Sequence, residues 1–297
     1  MTPRLDIRKT YKLYIGGKFP RSESGRSYVV TDAKGRFLAN AVRASRKDAR
    51  DAVVAARSAF PGWSETTAYN RGQVLYRVAE VMEGRAEQFA AEVASGEGLR
   101  LPQARGIVSA AIDRWVWYAG WTDKLAQVVG GTNPVAGPYF DFSIPEPTGV
   151  VAVLAPQDSS LLGLVSVLAP ALAGGNVVVV VSSKHRPLPA ITLSEALATS
   201  DVPGGVVNML TGSAAEIAPW LAEHSDVNAI DLTGTVGATE GGLADVELAR
   251  DLEAKAAGTL KRVRRPSAGS PDWAAEPGLS RMTAFLETKT VWHPIGV

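Results

Sequence analysis

The stretch Gly149–Ser182 restricts the possible folds more than any other part of the chain. Val150-Val151-Ala152-Val153-Leu154 is a short β-branched run suited to a buried strand. A polar loop, Pro156-Gln157-Asp158-Ser159-Ser160, leads into the Leu-, Val- and Ala-rich segment Leu161–Leu172, long enough for a buried helix. Gly174-Gly175 ends that helix, because glycine accepts the left-handed backbone common at helix C-termini. Val177–Val181 then supplies a second β-branched strand. Strand, helix and strand in this order make a βαβ unit, whose strands run parallel beneath covering helices. The spacing predicts an α/β fold with a doubly wound, mostly parallel, Rossmann-like sheet, where ligands sit at the C-terminal ends of the strands.

Composition narrows the function. With 297 residues, 46% hydrophobic and 21% charged, the chain has room for one large or two smaller domains. A net charge of +1 gives no pull toward nucleic acid or an acidic membrane. Pro156, Asp158 and Pro170 interrupt the apolar core, so no membrane span is expected, and scattered Arg and Lys in the first twenty residues do not read as a secretory leader. A cytoplasmic location follows as the default. The chain contains no cysteine, which excludes disulfides, thiolate metal sites and a cysteine nucleophile. His185, His224 and His293 lack metal-ligand spacing, and no base is readable beside Asp158-Ser159-Ser160.

Around that core, residues 11–31 read as short strands about a Gly16-Gly17 turn. Ser45, with Asp48 three residues on, starts an Ala-rich helix to about Phe60, stopped by Pro61-Gly62. Helical patterns are predicted over Ala68–Ser95 and Leu101–Val128, the latter carrying Trp115, Trp117, Tyr118 and Trp121 as core or interface. Gly130–Pro147 reads as a projecting hairpin with edge strands. Ala190–Ala198 and Ala214–His224 are helices, and Val206–Leu210 and Ala229–Leu232 strands. From Arg262 the pattern decays through the Arg262, Arg264, Arg265 cluster, read as solvated surface, into the linker-like Pro266–Pro271. Phe285–Trp292 has strand-forming residues suited to a sheet edge.

Pro147-Thr148-Gly149-Val150-Val151, Ala171-Leu172-Ala173-Gly174-Gly175-Asn176, Pro203-Gly204-Gly205-Val206-Val207-Asn208, Leu232-Thr233-Gly234-Thr235 and Leu260-Lys261-Arg262-Val263 carry a resemblance. In order and spacing they resemble the aldehyde dehydrogenase superfamily, and Leu286–Val291 is similar to its closing strand. The resemblance implies a dinucleotide-binding-type domain over 1–129 and 148–265, and a β oligomerisation element over 130–147 and 280–297. Segment 266–279 is then a linker in place of the catalytic domain, so a domain on the order of 150 residues is missing.

The departures set the functional expectation. The family's catalytic cysteine is absent, Pro266 stands where its general-base glutamate would be, and Asp158 aligns with the asparagine that helps hold the oxyanion. No catalytic residue is therefore assigned. The lysine that contacts the adenosine ribose aligns with Val181, and the acidic residue beyond it with Lys184. Gly212, Thr233, Gly234, Thr235 and Lys184 are the candidate cofactor residues: a residual NAD or NADP site, or a tight turn inherited with the fold. The resemblance implies a catalytically inactive subunit that assembles with a full-length aldehyde dehydrogenase paralogue or with itself. The alternative is an oxidoreductase-family protein that still binds NAD(P).

Overall fold

The structure, a computed structural model, describes residues 9–239, 243–267, 269 and 271–295. The chain opens with strands β1 (Thr10–Tyr11), β2 (Ser27–Thr31) and β3 (Phe37–Val42), which form a small sheet in the order β1-β3-β2. Helix α1 (Arg46–Glu65) follows, and Ser45 and Asp48 close a reciprocal capping box at its start. It passes through Pro61 instead of stopping there. Trp63, 1% exposed, donates its indole N–H to the Leu172 carbonyl at 3.3 Å, and this burial holds the last turn against the proline penalty of about 3 kcal/mol.

The pattern over 68–95 resolves into two helices, α2 (Ala68–Glu83) and α3 (Ala86–Glu97). They part at Gly84, whose N–H bonds to the Glu80 carbonyl. The next pattern divides likewise into α4 (Leu101–Ala119) and α5 (Leu125–Val129). Within it Trp115 and Tyr118 are fully buried, while Trp117 and Trp121 stack half-buried with centroids 5.5 Å apart.

Strands β4 (Gly131–Asn133) and β5 (Tyr139–Pro147) form the projecting hairpin. Gly149 turns the chain from β5 into the central sheet at φ +132°, and a Cβ there would lie 2.3 Å from Asn228 Oδ1. The core is then β6 (Val150–Leu154), α6 (Leu162–Ala173), β7 (Val177–Val181), α7 (Leu188–Ala198), β8 (Val207–Leu210), α8 (Ala214–Glu223) and β9 (Ala229–Asp231). Beyond a 3₁₀ turn at Thr233–Thr235 come α9 (Leu243–Ala257) and β10 (Arg262–Arg264). The central sheet is parallel throughout, in the order β10-β9-β6-β7-β8. Every residue of β6 and β7 is buried, as strands covered on both faces require. Helices α1 and α8 pack together on one side, and α6 and α7, backed by α2, α3 and α4, on the other.

The sequence signal that decays from Arg262 conceals β10 and its ion pairs. Arg262 meets Glu287 at 2.5 Å, Arg265 meets Glu253, and Arg264 lies 3.9 Å from the buried Asp231. After α10 (Ser280–Thr283), strand β11 (Leu286–Pro294) pairs antiparallel with β5 from Leu286↔Pro147 to Pro294↔Tyr139. This third sheet has the order β11-β5-β4, so segments far apart in sequence form one arm. Asn176 fixes its base, donating to the Phe285 carbonyl at 2.9 Å and accepting from Gly149 N–H. Among the described residues no helix is long and apolar enough to cross a membrane.

Candidate functional site

The strand order turns back between β6 and β9, since the connections from β6 lead to β7 and β8 before the chain returns to β9 on the other side. Loops leaving the C-terminal ends of these two strands diverge, and a crevice opens there. It is a cavity of about 290 Å³ walled by Pro156, Gln157, His185, Thr233, Gly237 and Trp273, among others.

The loop after β6 is braced. Gln157 donates from Nε2 to the Ala155 carbonyl at 2.9 Å and accepts the Lys184 N–H at 3.1 Å on Oε1. Arg186 donates to the Asp158 carbonyl at 2.5 Å. Ser160 donates through both its N–H and its hydroxyl to Glu97 Oε1, at 2.7 and 2.6 Å. Partial desolvation, with Lys184 and Arg186 beside it, lowers the His185 imidazole pKa.

The five candidate residues occupy different environments. Thr233 lines the cavity, and its N–H and hydroxyl both donate to Asp231 Oδ1, at 2.8 and 2.5 Å. Gly234 packs so closely on the β6 loop that a Cβ would lie 2.1 Å from the Ala155 carbonyl oxygen. Thr235 is buried, its hydroxyl bonded to the Leu232 carbonyl at 2.8 Å. Lys184 is exposed at the end of the β7 loop. Gly212 lies beyond β8 at φ +129°, where a Cβ would stand 3.5 Å from Ala44 N, and it joins the sheet to the segment after β3. Val181 is fully buried in β7.

Sequence reasoning missed two residues of this region. Asp245, in the first turn of α9, accepts the Gly237 N–H at 2.6 Å and the Thr239 N–H and hydroxyl at 3.0 and 2.7 Å. Burial alone would raise its pKa, but these hydrogen bonds more than offset that and keep it below the ordinary carboxylate value. Trp273, in the connector between β10 and α10, forms part of the cavity wall. Arg114 of α4 donates to the Trp273 and Ala275 carbonyls at 2.9 and 3.0 Å, and the Tyr118 hydroxyl donates to the Gly278 carbonyl at 3.3 Å. Arg281 reaches Asp231 Oδ2 at 3.3 Å and lies over the Trp273 ring, 5.1 Å from its centroid. The signals were an acid at a helix start and a lone tryptophan in a linker. No cluster of metal-ligating side chains occurs among the described residues.

A model of the aldehyde dehydrogenase family matches residues 19–249. The aldehyde dehydrogenase DhaS of Bacillus subtilis is 31% identical over 269 residues, covering 89% of this chain and 52% of that protein. Human retinal dehydrogenase 2 is 33% identical over 239 residues, 79% of this chain and 45% of its own length. The structure is similar to an aldehyde dehydrogenase from Bacillus cereus solved as an NAD+ complex, with a TM-score of 0.78 and 27% identity over 86% of this chain and 50% of that one. The chain therefore spans about half the length of these relatives.

Proposed function

Because the chain belongs to the aldehyde dehydrogenase family, we propose that it is a catalytically inactive member that assembles with a full-length, active paralogue or with itself. The observation that carries this reading is the lack of any cysteine among the 297 residues. The thiol chemistry that the family resemblance implies has no nucleophile here, and Pro266 stands at the position of the general base. Segment 266–279 acts as a linker in place of a catalytic domain, joining the dinucleotide-binding-type parts 1–129 and 148–265 to the oligomerisation element 130–147 and 280–297. That linkage is internal to the chain, since β10 precedes it and β11 follows it.

The arm supports the assembly. Strand β11 is an edge strand, and an edge offers backbone groups to a further strand. Tyr139, Phe140, Trp292 and Ile295 add exposed apolar surface at its tip. Such a subunit works as a scaffold or modulator of its partner in the cytoplasm.

The cofactor site is weak or lost in this reading. Val181 offers a ribose no hydrogen bond, and of the five candidate residues only Thr233 faces the cavity. The alternative, an oxidoreductase-family protein with residual NAD or NADP binding at Gly212, Thr233, Gly234, Thr235 and Lys184, draws on the crevice at the strand reversal and on the NAD+ complex of the Bacillus cereus relative.

Native mass spectrometry of the complex purified through a tag on this chain tests the assignment. A stoichiometric complex with a longer aldehyde dehydrogenase is expected. The chain at its monomer mass, above all with a dinucleotide bound, overturns the reading in favour of the alternative.

A further inference from the structure

We propose that the groove between the start of α1 and the end of α8 binds a phosphate monoester, with the Arg46 guanidinium, seated on the Trp220 indole, as its principal anion contact. The site is separate from the assembly reading, since it shares no lining residue with the crevice at the strand reversal and none with the arm.

The groove is a cavity of about 520 Å³. One wall carries Arg46 and Arg50 of α1, a helical turn apart, and the other carries Trp220 of α8 and His224 just beyond it, at the same spacing. Ala49 and Leu221, each 1% exposed, close the floor between them.

The charges around this groove do not balance. Lys47 stands 4.0 Å from Glu23, Arg50 3.0 Å from Asp51, and Lys255 3.5 Å from Glu223, so each of these carboxylates has its own cation. Arg46 is the surplus. Among the described residues its guanidinium meets no carboxylate and no carbonyl, and it sits 3.8 Å from the centre of the Trp220 ring. An unpaired arginine on a surface is ordinarily solvated and free to change rotamer. Contact with the indole instead holds this one at the wall of the groove, so its N–H fork is oriented before an anion arrives.

His224 adds a donor from the facing wall. Its Nδ1 accepts the Asp226 N–H at 3.2 Å, which leaves the ring proton on Nε2, and Nε2 makes no bond among the described residues. A flat carboxylate is satisfied by one guanidinium fork. Donors on two walls suit a tetrahedral dianion better. The apolar floor and the open part of Trp220, which is 39% exposed, lie alongside and accommodate the organic half of an ester.

The test is isothermal titration of the full chain at about 0.15 M salt, where attraction between exposed charges is screened. The probes are ribose 5-phosphate, AMP and, as the uncharged control, adenosine. Both phosphates are expected to bind saturably and adenosine not to. Arg46→Gln should weaken the binding by at least about ten-fold in Kd, and Trp220→Leu should weaken it as well. A tighter Kd for AMP than for ribose 5-phosphate supports the site with a nucleotide as its source, and equal values support it with a sugar phosphate. No saturable heat from either phosphate, adenosine binding as tightly as AMP, or phosphate binding left unchanged by either variant overturns the proposal. Melting temperatures establish that the variants are folded. Should Trp220→Leu fail to fold, the exposed Arg46→Gln decides alone.

Discussion

At the scale of single residues, Glu92 shows how burial sets a pH dependence. Its Oε1 accepts the Tyr11 hydroxyl at 2.9 Å and the Thr192 hydroxyl at 2.8 Å, while its buried Oε2 has no partner. Burial raises its pKa above the ordinary 4.5, and the bonds from Thr192 and Tyr11 and the charge of Lys9 only partly offset this. Glu195 stands close by, bridged by both Lys9 and Arg85 at 2.5 Å. A carboxyl whose folded pKa exceeds its unfolded one holds its proton more tightly in the folded state, so stability falls as pH rises from the unfolded value through the folded one. Glu92→Gln, which keeps an acceptor for both hydroxyls, is expected to melt at a higher temperature than wild type at pH 8. The difference should shrink toward pH 5, and thermal denaturation at the two pH values checks it. Asp245 shows the reverse case, a carboxylate stabilised by donors. Neither environment was legible from sequence, because each arises from groups brought together by folding.

Among the elements, the connector between β10 and α10 separates what the sequence reveals from what it hides. The valine strands, the Gly174-Gly175 stop and the capping box at Ser45 were legible, because each is a local signal with a local cause. The extra turn of α1 past Pro61 was not, since it depends on Trp63 reaching Leu172 more than a hundred positions away. The connector reads as a loose linker by composition, yet Arg114, Tyr118 and Arg281 tie it down. Arg281, which covers the Trp273 ring of the connector, is itself paired with Asp231, only 1% exposed. Arg281→Ala leaves that carboxylate buried without its nearest cation, so a loss of about 3 kcal/mol is expected, the low end of the ~3–5 kcal/mol range because Thr233 still donates to it. Replacing both partners at once, Asp231→Asn with Arg281→Met, keeps an acceptor for the Thr233 N–H and hydroxyl and should recover part of the loss. Urea denaturation of the three proteins decides the point, and equal midpoints for wild type and Arg281→Ala would show the pair to be idle.

For the whole molecule, the question is whether the arm is a surface feature or half of an interface. Its strands are joined by a continuous nine-residue register, so the arm has a defined shape before any partner arrives. Its apolar side chains lie on both faces of the tip: Trp292 packs edge-on against Tyr139 at 5.7 Å, while Phe140 and Phe142 stack at 5.5 Å. Phe140 and Trp292 are 48% and 58% exposed, too open to contribute much to folding of the isolated chain. Surface substitutions of this kind change stability by about 0.5 kcal/mol or less. At the centre of an interface the same aromatic positions are worth about 2 kcal/mol or more. The double variant Phe140→Glu, Trp292→Glu therefore separates the two roles. If the arm is the assembly surface, the variant should keep the wild-type melting temperature of the monomer yet weaken the complex by at least about ten-fold in Kd. Light scattering coupled to size-exclusion chromatography, run over a dilution series, reads that shift. An unchanged mass at every dilution would place the contacts elsewhere on the molecule.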